Sequence, residues 1–165
     1  MNLIFDIEAD GLTPTKIWCI VAKELDGPVY TFDPTQIEEG IKFLQSAKTL
    51  IGHNIIGYDC PVIQKLYPWF SEPTLVVDTL LLSRLYHPNM ISVDKKNNWK
   101  HMPLKLYGRH SLESYGYRLG EFKGSFGKDT DWKEWSQEME DYCAQDVVVT
   151  KKLCDHFHPY LTGLR

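Results

Sequence analysis

The residues best suited to do chemistry in this chain are carboxylates. Asp6-Ile7-Glu8-Ala9-Asp10-Gly11 follows the apolar run Leu3-Ile4-Phe5, which reads as a buried strand starting almost at the first residue. Side chains alternate along a strand, so Asp6 and Glu8 share one face, one pleat apart. Two carboxylates side by side at the end of a buried strand repel each other and lose water, and a cation between them relieves both costs. Asp10-Gly11 is an ordinary turn dipeptide. Asp59 closes His53-Asn54-Ile55-Ile56-Gly57-Tyr58-Asp59 at the mouth of a helix, where N-capping is the plainer explanation. Asn54 and Tyr58 could equally be turn and packing residues. Tyr142 and Asp146, four residues apart, share the face of a late helix that otherwise carries Val, Met and Leu. That aims Asp146 at the core, where it needs a partner: a hydrogen bond from a tyrosine, or a metal. Together the three stretches offer Asp, Glu, Asp and Asp, with a Tyr one turn before the last.

The elements that must position these groups follow from periodicity. After the first strand, 17–23 and Val29-Tyr30-Thr31-Phe32 read as a strand pair around a Gly-Pro turn. Asp33-Pro34-Thr35-Gln36 carries an N-cap, a first-turn proline and a capping-box Gln, opening a helix that turns Ile37, Ile41, Phe43 and Leu44 inward. Thr49-Leu50-Ile51-Gly52 is a fourth strand, 60–66 a helix stopping before Pro68, Leu75-Val76-Val77 a fifth strand and 79–86 a helix. From 87 to 109 the chain is polar and rich in Pro, Asn and Lys without a period, which predicts a long functional or mobile loop. A final helix over about 136–157 puts Met139, Tyr142, Cys143, Asp146, Val149, Thr150 and Leu153 on one side. The sum is an α/β fold, a mixed five-stranded sheet flanked by helices.

At 165 residues the chain is expected to form a single domain, 1–165, and no internal repeat is visible. A hydrophobic share of 43% with 24% charged residues is that of an ordinary globular protein. No apolar stretch approaches a membrane span and no signal peptide precedes the first strand, so no membrane partner and a cytoplasmic setting are expected. The four cysteines lack paired metal spacing and fall within regular elements, which suits reduced core thiols. A formal charge of −4 argues against coating nucleic acid by electrostatics alone. It does not argue against an enzyme acting on nucleic acid, because four acidic ligands account for such a deficit and two divalent ions cancel it.

With these motifs in place the chain resembles the 3′→5′ exonucleases of the ribonuclease H-like superfamily that carry four acidic residues and a tyrosine (DEDDy). The likeness is greatest to the proofreading domain of family A DNA polymerases of podovirus-type phages. Asp6-Ile7-Glu8 looks like the first motif, Asn54 to Asp59 the second and Tyr142 to Asp146 the third. The similarity runs on through Asp78-Thr79-Leu80-Leu81-Leu82-Ser83-Arg84-Leu85, through His110-Ser111-Leu112-Glu113-Ser114-Tyr115-Gly116-Tyr117-Arg118-Leu119-Gly120 and through Gln145 to Lys151. Such polymerases continue into a much larger polymerase domain, and the stretch 126–135 looks shorter here than their insertion. The setting is thus that of a free-standing phage exonuclease, a split subunit or an excised domain, in the infected host's cytoplasm if phage-encoded.

The resemblance implies two Mg2+ ions, with Mn2+ able to substitute, about 3.5–4 Å apart as two-metal hydrolysis requires. Asp6, Glu8 and Asp146 would hold the first ion, Asp6 bridging to the second, on which Asp59 acts largely through water. Tyr142, assisted by Glu8, would orient the attacking water, releasing a nucleoside 5′-monophosphate. The implied partners are single-stranded DNA or frayed and mismatched 3′ ends of duplex DNA, together with a DNA polymerase. Leu12 stands where the family inserts an apolar side chain between terminal bases, although a core leucine after a turn would look the same. Asn54 and Tyr58 resemble substrate-strand contacts. Lys95-Lys96-Asn97-Asn98-Trp99-Lys100-His101 mixes cations with an aromatic, as single-strand grooves do, but reads first as a solvated loop. Three alternatives stand beside this reading: an RNA-trimming ribonuclease of the same fold, an inactive nucleic-acid-binding module, and a hydrolase of small phosphates with a closed pocket.

Overall fold

The computed structural model describes residues 1–121 and 131–163. Its centre is strand β1 (Asn2–Ala9), buried along nearly its whole length. β2 (Ile17–Glu24) and β3 (Val29–Phe32) extend the sheet antiparallel on one side; β4 (Thr49–Gly52) and β5 (Leu75–Asp78) extend it parallel on the other, in the order β3-β2-β1-β4-β5. This is the expected mixed five-stranded sheet. The helices are α1 (Ile37–Gln45), α2 (Cys60–Leu66), α3 (Thr79–Tyr86), α4 (Met90–Asn97), α5 (Leu112–Arg118) and α6 (Gln137–Thr162).

Each face of β1 enters its own core. Leu3, Phe5 and Ile7 pack with Ile20, Phe32, Ile41, Leu44, Ile55 and Ile63 on the side of α1 and α2. Ile4 packs with Cys19, Val21, Ile51, Cys143 and Val147 on the side of α6. Asp6 and Glu8 share the parity of Ile4, so the pleat carries them to the α6 side. A third cluster of Met90, Leu112, Tyr115, Val149, Leu153 and Phe157 ties α4 and α5 to the rest of α6.

Three expectations change. The 87–109 stretch is not a structureless loop: it holds α4 and a 3-10 turn, Leu104–Leu106. Its organiser is Asp94, fully buried, which accepts from Trp99 Nε1 (2.9 Å), Gly108 N (2.8 Å), Arg118 Nε (2.8 Å) and Arg118 Nη2 (2.7 Å). The partner Arg118 lies on α5, a long-range pairing that no local period reveals. Trp99 is thus a structural donor, and Lys95 to Asn97 belong to a helix rather than to a solvated loop. The helix opened by Asp33-Pro34-Thr35-Gln36 begins one turn later, at Ile37, although Asp33 N still donates to Gln36 Oε1 at 3.2 Å as a capping box does. Finally, α6 continues through Pro159 to Thr162 and ends on Gly163 at φ 71°, a left-handed cap that glycine adopts without cost. Half of the shortened stretch expected at 126–135, residues 126–130, lies outside the described residues.

Candidate metal centre and cleft

β1 pairs with β4 only from Asn2 to Ile4, opposite Thr49 to Ile51. Beyond that point the edge of β1 on the β4 side is open, and its next inward amide, Ile7 N, donates to Asp59 Oδ2 at 3.1 Å. Asp59 therefore does not cap α2, since no cap hydrogen bond to its side chain forms and its backbone is helical. It closes a single π-helical turn, Ile55–Asp59, that begins after Asn54 in the left-handed region at φ 60°. The turn depends on Gly52: a Cβ there would stand 2.2 Å from Ile55 Cγ2 and 3.0 Å from Phe5 O. It is anchored from below by Asp78, buried at the N-cap of α3, which accepts from Asn54 N (2.8 Å), Ile56 N (3.0 Å) and Leu80 N (2.9 Å).

These constraints bring the carboxylates together. Asp6, Glu8, Asn54, Tyr58, Asp59, Tyr142 and Asp146 all line one cleft of about 670 Å³. Glu8, Asp59 and Asp146 are buried. Asp6 is held well above the ordinary carboxylate value of 3.8, first by burial and then by the charges of Asp146, Glu8 and Asp59. Asp59 is pushed up to about 8, mainly by burial; the Ile7 amide pulls the other way, while Asp146 and Asp78 add to the rise. Tyr58 rises to about 12 by burial and then the neighbouring carboxylates, and its hydroxyl donates to Gly11 O at 2.8 Å. Tyr142 faces Trp132 edge-on at 6.3 Å, and Trp132 O accepts from Trp18 Nε1 at 2.7 Å.

The donor set fits a hard divalent cation. Ligand atoms of Asp6, Glu8 and Cys143 lie within 4.8 Å of one another, and the buried Asp6 Oδ2 accepts no hydrogen bond among the described residues. Cys143 was not expected in this group. Its Sγ donates to Asp6 O at 3.3 Å, and burial, then Cys19 and Asp6, keeps the thiol well above its usual range. A protonated thiol is no ligand for magnesium, so the oxygens carry the fit.

Leu12 does not line the cleft: it is 93% exposed on the turn after β1, which removes the core-leucine reading. Sequence reasoning missed His53, Arg84, Arg109, His110 and Trp132, all of which line the cleft. Arg109 and His110 closed or followed an aperiodic stretch, and only the folding of 87–109 around Asp94 brings them here. No described helix is long and apolar enough to cross a membrane.

No family model matches the chain. The DNA-directed DNA polymerases of Enterobacteria phage T3 and Escherichia phage T7 are each 33% identical to it over 183 residues, covering 93% of this chain and 26% of each polymerase. The chain thus spans about a quarter of the length of these relatives. Among solved structures, Brucella melitensis NrnC superposes with a TM-score of 0.66 at 18% identity, over 98% of this chain and 75% of that one. NrnC has also been solved with bound Mg2+ and bound to pGG. An E. coli ExoI–ssDNA complex superposes at a TM-score of 0.58 and 16% identity, over 99% and 42%. The chain is thus similar to one part of the phage DNA polymerases, and it shares its mixed-sheet fold with solved nuclease structures.

Proposed function

We propose that this chain is a metal-dependent 3′→5′ exonuclease that shortens DNA strands from single-stranded, frayed or mismatched 3′ ends and releases nucleoside 5′-monophosphates. The observation that carries the reading is the meeting of four acidic side chains, Asp6, Glu8, Asp59 and Asp146, in the lining of one cleft of about 670 Å³. When bound by these residues, two Mg2+ ions, or Mn2+ in their place, supply an activated water and neutralise charge at the leaving oxygen. Asp6 and Glu8 from β1 and Asp146 from α6 form one side of the ligand set. Asp59 is presented from the other side by the π-turn, its Oδ2 oriented by the Ile7 amide. Tyr142, one turn before Asp146, orients the water that attacks the terminal phosphorus. The P–O3′ bond breaks, and the released 3′ oxygen takes up a proton. No side chain forms a covalent intermediate, so positioning and electrostatics carry the chemistry. Asn54, Tyr58 and Leu12 are assigned to strand contacts, and a DNA polymerase is the natural partner given the relatives.

Digestion of 5′-labelled DNA and RNA strands of one sequence, with and without Mg2+, tests this. The expected result is a DNA ladder shortening from the 3′ end, lost by several orders of magnitude in Asp146→Ala and reduced less in Tyr142→Phe. An Asp146→Ala protein that cleaves like wild type overturns the site assignment. Preference for RNA would select the ribonuclease reading, which the shared fold with pGG-bound NrnC favours. No cleavage of either strand would leave a binding module.

A further inference from the structure

The cleft is lined by groups of two opposite kinds: besides the carboxylates, its lining includes Arg84, Arg109 and His110. Both arginines are exposed, and a guanidinium can only donate. The histidine is held by a relay outside the cleft: His110 Nδ1 bonds Ser83 Oγ, and Ser83 Oγ bonds the Tyr115 hydroxyl. Ser83 is fully buried and Tyr115 nearly so.

The direction of this relay can be settled by counting protons. Ser83 has one. If His110 Nδ1–H donated to Ser83, either the Ser83 or the Tyr115 proton would be left buried with no acceptor among the described residues. If Tyr115 donates to Ser83, Ser83 donates to Nδ1 and both hydroxyl protons of the relay have acceptors. The second arrangement fixes the neutral ring as the Nε2–H tautomer. Burial, then the charges of Arg118 and Arg84, lowers the affinity of the ring for a second proton. The His110 backbone is held independently, its carbonyl accepting from His53 Nε2 at 2.8 Å. Among the described residues His110 Nε2 has no hydrogen-bond partner.

We propose that His110 is a substrate-binding residue whose Nε2–H donates to a phosphate oxygen of the strand in the cleft, with Ser83 and Tyr115 as the positioning residues that set its tautomer. The inference rests on the nuclease reading above and specifies its strand contacts. Two guanidiniums and an imidazole N–H in one cleft lining match an anionic, acceptor-rich ligand, which a phosphodiester backbone is. The carboxylates take cations and these donors take phosphates, so the two together orient a strand.

Two measurements on the full chain test this. A long-range proton–nitrogen spectrum of the imidazoles, with His110 assigned by its loss in His110→Gln, should show the Nε2–H tautomer in wild type and a mixture in Ser83→Ala. The Nδ1–H tautomer in wild type would overturn the relay. Binding of a 5′-fluorescein oligodeoxythymidylate in Ca2+ should weaken about tenfold in His110→Ala, as loss of a hydrogen bond to a charged acceptor does, and much less in His110→Gln. Should His110→Ala fail to fold, Ser83→Ala binding, expected about threefold weaker, decides. Wild-type binding matched by the folded variants sinks the assignment alone. Wild type that binds no oligonucleotide sinks the nuclease reading and this assignment with it.

Discussion

Metal binding at the carboxylates should expel protons, from Asp59 and from Asp6 where it holds one. With Asp59 near 8, about nine in ten molecules hold that carboxyl protonated at pH 7. Asp6 is raised as well, by burial and by the same neighbours. A cation must displace whatever protons these two groups carry. Below pH 8 the proton displaced from Asp59 makes the apparent affinity rise about tenfold per pH unit, about 1.4 kcal/mol. Between pH 6 and pH 7 the Mg2+ dissociation constant should therefore fall about tenfold if Asp59 alone gives up its proton. It should fall further if Asp6 gives up one too. Isothermal titration in two buffers of different ionisation enthalpy counts the protons directly, with about one to two expected at pH 6.5. Asp59→Asn should release about one fewer. The sign for stability follows from the same shifts. A carboxyl with a raised folded pKa binds its proton more tightly in the native state, so that stability is greatest below the unfolded value and is lost as pH rises through the folded one. The metal-free protein should lose stability from about pH 4 to pH 8, and Mg2+ should restore most of it at the alkaline end. A dissociation constant that is flat from pH 6 to 7, with no buffer dependence, would refute the idea of a protonated acidic cluster.

Other perturbations probe the frame. Asp94→Ala leaves the Arg118 guanidinium buried without its carboxylate and should cost about 3–5 kcal/mol in chemical denaturation. A loss under 1 kcal/mol would mean that Asp94 does not organise the 87–109 segment. Gly52→Ala forces a methyl against Ile55 and the Phe5 carbonyl, and should destabilise by about 1–3 kcal/mol while weakening Mg2+ binding through the displaced π-turn. Leu12→Ala should leave the melting temperature unchanged, because the side chain is 93% exposed, and should weaken only the capture of frayed 3′ ends.

Much of this architecture is legible in the sequence because its signals are local. The β1 run, the Thr49-Leu50-Ile51-Gly52 strand and the Met139–Leu153 spacing each encode their own burial. Asp6 and Glu8 on one face of a strand, and Tyr142 and Asp146 on one face of a helix, follow from period alone. Where the reading fails, the determinant is distant in the chain. Asp94 needs Arg118, 24 residues on, before a Lys- and Asn-rich segment makes sense as a helix. Asp59 looks like a cap because its true donor, the Ile7 amide, lies 52 residues away. His53, Arg84 and His110 fall inside stretches singled out in the sequence, but no local period marks them as site residues; their meaning lies in sharing a cleft.

Cys143 gives the acidic centre a second chemical character. Its sulfur stands among the ligand atoms but is silenced by a proton and by its bond to the Asp6 carbonyl. Hard ions leave that proton in place. Cadmium or mercury would not, because thiophilic metals drive thiol deprotonation and prize the resulting sulfur ligand. The same helix that delivers Asp146 therefore carries a latent soft donor one turn earlier, which makes the centre a selective target for heavy-metal poisoning.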